Sequence, residues 1–434
     1  MITIENETLG YYTLGFLHIK INTDADVSDL NLLIQNENKV FSTFFHEYIH
    51  FLQNFTSTNG FYSSTFYTQL IKYLVDKIKN DTNPNIQLPV SLDNNFNQKS
   101  KMKLNSIYIG SSGVVCDQVI YKSYKATKEE IEYPQGSQLE VSKYYIDYLN
   151  VASREHDTYV FGSIALKEYV AHKIQNKFHK TAHPDIPYLL PELILDKELP
   201  QLKNYDDLKI LLCDASLMHL HPAQFFFDAI EKIKKNRIFP KNPERFYKFL
   251  FERIKFKGEL GEFKNENELF NFTAQQILDD SKNIYGSDYH ENEANWLLHV
   301  INEGRELRIQ NPTFILQLVD DDGKFHPNFL EIVQKLGTPF YINNKAEGGY
   351  VPPRNLEKNP EQVQIMLAAS EVIFNAFSNK ACALYDFCST NYKDKNPTND
   401  HCKTNPFLKL AEPEACSFTQ LCKSWGIHEK NYTR

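Results

Sequence analysis

Residues 40–55 read VFSTFFHEYIHFLQNF. No Pro or Gly interrupts the run and more than half of its positions are apolar, so it predicts one continuous helix. Phe41, Phe44, Phe45, Tyr48, Ile49, Phe51, Leu52 and Phe55 cover most of the helix circumference. A helix apolar almost all round belongs in a core. Apart from Ser42, its polar residues are Thr43, His46, Glu47, His50, Gln53 and Asn54, which gather on one narrow stripe. His46 and His50 are one turn apart and can reach the same metal ion. Glu47, beside them, completes the pattern H-E-x-x-H and is placed to take a proton from a water on that metal. Two imidazoles and a carboxylate inside a greasy helix are costly without a partner, and a cation is the natural one. A pair of core histidines satisfied by hydrogen bonds is the competing reading.

The match of His46, Glu47 and His50 on a buried helix resembles the zinc metallopeptidases of the zincin group. Those with a long gap and a later glutamate as third ligand are the gluzincins, and the chain looks like this type. The metzincin extension is absent, because Gln53 and Thr56 stand where it requires Gly and His. The run HEYIHFLQN is also similar to that of uncharacterised bacterial metallopeptidase-like proteins. The resemblance covers roughly residues 1–180. It implies a zincin-like catalytic lobe, a bound zinc ion, and hydrolysis of a protein or peptide substrate.

A catalytic zinc site takes three protein ligands and keeps one position open. Glu168, in the helical run FGSIALKEYVAHKIQNKF (residues 161–178), is the preferred third ligand. Ile164, Ala165, Ala171, His172 and Gln175 share its face by helical spacing, and the alanines allow close approach to the metal helix. His172, one turn on, could hold Glu168 or a ligating histidine in place. Gluzincins often carry an acidic residue at that offset, so a histidine departs from their pattern. Glu303, in an Asn-Glu-Gly setting, and the pair Glu155 and Asp157 are the competitors for the third position. The chemistry expected is general-base catalysis by Glu47, which later returns the proton to the leaving amine. His219, His221 or Tyr350 would supply a donor to the oxyanion.

Length and composition frame this site. The chain has 434 residues, 42% hydrophobic and 24% charged, which suits two or three domains with ample core. A net charge of -8 argues against non-specific nucleic-acid binding, and the basic run KIKKNR reads as a solvated helix face. No apolar stretch is long enough to span a membrane, and MITIENETLG lacks a signal core. A cytoplasmic location with reduced thiols is therefore expected.

The organisation expected is α+β. Residues 1–185 would form the zincin-like lobe with a small sheet, residues 186–345 a mostly helical lobe, and residues 346–434 a C-terminal helix and cysteine-rich module. One or two strands precede the metal helix, residues 60–79 read as a helix, and residues 80–97 as an Asn-rich loop. KLNSIYIG and GVVCDQVIYKS, flanking Ser111 and Ser112, suggest a β-hairpin able to pair with an extended substrate. Six helical segments follow between residues 205 and 340, punctuated by Pro222, Pro240, Pro243 and Pro312. Residues 337–354 read as a Gly/Pro-rich loop, and a helix is expected over residues 361–380.

Five of the seven cysteines fall between Cys382 and Cys422, spaced C-x5-C-x13-C-x13-C-x5-C. Such clustering with reduced thiols points to metal rather than disulfides. Cys382, Cys388, Cys402 and Cys416 are the preferred ligands, of a second structural zinc or an iron–sulfur cluster. Two function classes stand beside the peptidase: a non-proteolytic zincin-fold binding protein, and a metal-dependent amidase acting on small substrates. An intact Glu47 favours an enzyme.

Overall fold

Two short antiparallel strands, β1 (Gly10–Thr13) and β2 (His18–Ile21), precede a short helix α1 (Leu30–Gln35) and the helix α2 (Lys39–Phe55) that carries His46 and His50. The computed structural model describes residues 9–13, 17–35, 39–91, 96–133, 138–236, 239–252, 254, 256–258, 260–285, 290–320, 323–356, 376–377, 381–382, 384–391 and 398–433. As its sequence predicts, α2 is buried almost all round. Phe45 lies edge-on to Phe325 and Phe329, Phe44 meets Tyr341, and Tyr48 donates to the Gly337 carbonyl at 3.0 Å. Each such aromatic side chain contributes about 1.5–3 kcal/mol by leaving water. The helix is thereby fixed in rotation, which decides where its polar stripe points.

After α2 the chain turns at Thr56 into α3 (Thr58–Asn80), capped by Ser57, which accepts from the Gly60 amide at 3.0 Å. A short strand, β3 (Asn85–Gln87), and helix α4 (Phe96–Ile109) follow. The sequence reading of residues 103–110 as the first arm of a hairpin is thus corrected. Leu104, Ile107 and Tyr108, the buried apolar residues of that run, are spaced three and one apart, which is one face of a helix and not the alternation of a strand. The hairpin lies further on, between β4 (Val119–Glu132) and β5 (Gln138–Asn150), and β5 pairs in turn with β6 (His156–Phe161). Along β5, Tyr144, Ile146 and Tyr148 are buried at every second position. β6 feeds directly into α5 (Ser163–Phe178), the helix that carries Glu168. Gly162 makes this junction: a Cβ there would sit 2.4 Å from the Ile109 carbonyl at the end of α4.

The helical half holds α6 (Leu190–Glu198), α7 (Asp206–Ser216), α8 (Pro222–Lys235) and α9 (Pro243–Phe251). A small hairpin of β7 (Phe256–Gly258) and β8 (Gly261–Phe263) leads to α10 (Glu266–Tyr285), α11 (Glu291–Gln310) and α12 (Pro327–Leu336). Pro222, Pro243 and Pro327 open their helices, where the missing N–H costs nothing. Phe226 and Phe227 of α8 pack on Phe161 and Tyr144, so this half closes over the inner face of the three-stranded sheet. A buried ion pair ties it to the end of α2. Arg308 grips Asp214 with both terminal nitrogens, at 2.6 and 3.1 Å, and its Nε donates to the Thr56 carbonyl at 2.7 Å.

Residues 337–354, a loop by sequence, contain two more strands. β9 (Phe340–Ile342) pairs parallel with β2 and antiparallel with β10 (Gly348–Gly349), giving the sheet order β1-β2-β9-β10. All three residues of β9 are buried, which their apolar character requires. The helix expected over residues 361–380 falls outside the described residues except at residues 376–377, which are helical. The C-terminal part contributes α13 (Tyr385–Asn391), α14 (Asp400–Thr404), α15 (Ser417–Ser424) and β11 (Asn431–Thr433), which pairs parallel with β3. The fold is therefore α+β, with the cysteines gathered towards the C-terminus. Among the described residues, no helix is long and apolar enough to cross a membrane.

Candidate metal centre

Helices α2 and α5 pack against each other and bring three donors together. Nε2 of His46 and Nε2 of His50 are 3.2 Å apart, and Oε2 of Glu168 lies 3.1 Å from the first and 3.4 Å from the second. Nitrogen and oxygen donors at about 2.0–2.1 Å from a tetrahedral zinc stand about 3.3 Å from one another. The triangle has that size.

The other ring nitrogens explain why these atoms face each other. Gln175 donates its Nε2 to Ser42, at 2.8 Å to Oγ and 3.2 Å to the carbonyl, so its Oε1 must accept from His46 Nδ1 at 3.1 Å. Gln53 donates to the Lys167 carbonyl at 3.1 Å and accepts from His50 Nδ1 at 2.9 Å. Both imidazoles are held with the proton on Nδ1 and a lone pair on Nε2. In that tautomer two lone pairs and a carboxylate oxygen within 3.4 Å repel one another unless a metal ion or a further proton lies between them. The hydrogen-bond geometry thus marks the cluster as a candidate metal-coordinating site. Side-chain exposure is 7% for His46, 12% for His50 and 23% for Glu168, so the centre opens to solvent on the Glu168 side.

Glu47 is buried one residue along, on the side of β1. Desolvation pushes its carboxyl up to about 7, against the pull of His46 and of a hydrogen bond from the Tyr12 amide. Gly10 permits this close approach of strand to helix: a Cβ there would meet Thr43 Cγ2 at 2.7 Å and the Lys20 carbonyl at 2.8 Å, with Glu47 Cγ at 3.7 Å.

Two neighbours of the centre were not singled out by the sequence. The His183 ring stacks on His46 with centroids 5.9 Å apart, and Tyr188 lies 4.4 Å from His183 and 6.1 Å from His46. The buried Nε2 of His183 has no hydrogen-bond partner. Glu168 and Glu47 lie close enough, with burial the larger cause, to raise the Tyr188 phenol above its usual range. Both residues come from the segment HPDIPYL after α5, where two prolines and an aromatic residue are the available signal.

The remaining sequence candidates are placed as follows. His172 packs edge-on to His183 at 4.8 Å and meets Asn176 at 3.0 Å, while the glutamines orient the ligating rings. His219 and His221 lie between α7 and α8, where His221 Nε2 donates to the Ser142 carbonyl at 2.5 Å. Tyr350 follows β10, Glu303 lies on α11, and Asp157 on β6 accepts from Tyr148 at 3.2 Å. Cys382, Cys388, Cys402 and Cys416 line one cavity in the C-terminal part. Compared with known proteins, the chain matches no family model, no curated protein and no solved structure.

Proposed function

We propose that this chain is a zinc-dependent metallopeptidase that cleaves peptide bonds of a protein or peptide substrate, with Glu47 as general base. The observation that carries the reading is the triangle of His46, His50 and Glu168, of zinc-site dimensions and open on one side, with the Glu47 carboxylate adjacent to it. A zinc ion held there supplies a Lewis acid that polarises a carbonyl and makes water acidic near neutral pH. Glu47 takes a proton from the attacking water as its oxygen bonds to the carbonyl carbon. When the C–N bond breaks, the same carboxyl delivers that proton to the leaving amine, so the proton balance closes. His183 and Tyr188, beside the His46 ring, are candidate donors for the oxygen on which negative charge develops. Gln53 and Gln175 keep the two imidazoles from turning.

The test compares zinc-loaded wild type with Glu47→Gln on a diverse peptide library, with zinc content measured in both. Loss of a general base is expected to lower the cleavage rate by about 10²–10⁴-fold while zinc is retained. A Glu47→Gln protein that loses its zinc would make Glu47 a structural residue. A zinc-loaded wild type that leaves every peptide intact would favour small-amide hydrolysis or a binding role.

A further inference from the structure

The four cysteines of the C-terminal cavity have no part in the reaction above. Cys382 stands just before α13 and Cys388 lies on that helix, Cys402 is on α14, and Cys416 is the N-cap of α15. Residues from three stretches of the chain therefore converge on one cavity, together with Leu384, Phe418 and Lys409. The Cys382 amide donates to the Cys402 carbonyl at 2.8 Å, and the Cys416 amide to Thr419 Oγ1 at 2.8 Å, so hydrogen bonds fix the backbone at Cys382 and Cys416. None of the seven cysteines is disulfide-bonded, and Cys422, although buried nearby, does not line the cavity.

The spacing of the thiols discriminates between metals. A single tetrahedral zinc at about 2.3 Å from each sulfur draws four sulfurs to within about 3.8 Å of one another. Among the described residues, the one group of three or more donor side chains with ligand atoms within 4.8 Å of one another is His46, His50 and Glu168; no three of these cysteines form such a group. An iron–sulfur core spreads its thiolates over several iron atoms, so they share a cavity without being drawn onto one centre. Lys409, 2% exposed at the cavity wall, is paired with Glu412 at 3.0 Å. We infer that Cys382, Cys388, Cys402 and Cys416 hold an iron–sulfur cluster, separate from the centre on α2 and α5.

The test purifies the full chain without oxygen, or reconstitutes it with ferrous iron and sulfide, and measures iron, acid-labile sulfide and zinc together with the visible absorption spectrum. The expected result is about two or four iron atoms per chain with matching sulfide and a broad charge-transfer absorption. Cys402→Ser and Cys388→Ser are expected to lose at least nine-tenths of the iron, whereas Cys422→Ser and His46→Ala keep it. Folding of each variant is checked by circular dichroism, and the iron content of the wild type stands as evidence even where a variant fails to fold. One zinc per chain lost on Cys402→Ser, or no iron in the reconstituted wild type, would overturn the inference.

Discussion

His46 and His50 on α2, and His219 and His221 before α8, are both close pairs of histidines in aromatic surroundings, all buried except the half-buried His50. They differ in where the ring nitrogens go. In the first pair, glutamine side chains take both Nδ1 protons, and both Nε2 atoms turn towards Glu168. In the second pair the backbone takes what the rings offer. His219 Nδ1 accepts from the His221 amide at 3.0 Å, and His221 bonds the Ser142 carbonyl through Nε2 and caps α8 through Nδ1. A satisfied histidine asks for nothing more. A histidine pair whose lone pairs converge on a carboxylate asks for a cation. The partner of the second nitrogen, rather than burial, separates a metal centre from a packed core.

The largest effect that sharpens this contrast concerns acid. Burial lowers His219 and His221 to about 4, from an ordinary value of 6.5, because the folded chain holds them neutral. The unfolded chain protonates them below 6.5, so their contribution to stability is complete above that pH and is lost as pH falls from 6.5 towards 4. Each ring accounts for at most about 3 kcal/mol of this loss. Urea unfolding at pH 7 and pH 5 is expected to show a smaller acid loss in His221→Gln than in wild type. Parallel losses would mean that His221 is not held neutral by the fold. The smaller effect concerns the glutamines. Gln175→Ala or Gln53→Ala frees one ligating ring and is expected to weaken zinc binding about 10–100-fold, measured by competition with a chelator. Unchanged affinity would mean that the rings are oriented by packing alone.

Much of the metal centre could be read from the sequence because its logic is local. His50 stands four positions after His46, and one turn of helix aligns them whatever else the chain does. Glu168 shares a helix face with two alanines, a pattern that marks close helix packing, and Gln175 falls on the same face. His183 and Tyr188 could not be found this way, since a Pro-punctuated turn with no period brings them back over His46. Strand β9 was missed for a related reason. Its three residues become a strand only by pairing with β2, which lies near the other end of the chain. The hairpin misreading shows the limit of short apolar runs, in which Leu104, Ile107 and Tyr108 fit a helix once their neighbours Gln98, Lys99 and Lys101 are counted as helix formers.

The central claim is that His46, His50 and Glu168 together hold one metal ion, and zinc-edge X-ray absorption of the zinc-loaded chain tests it most directly. The expected spectrum shows two imidazole nitrogens and oxygen donors with no sulfur, and the signal is lost in Glu168→Ala but kept in His221→Ala. Zinc bound through sulfur, or a spectrum unchanged by Glu168→Ala, would contradict the account.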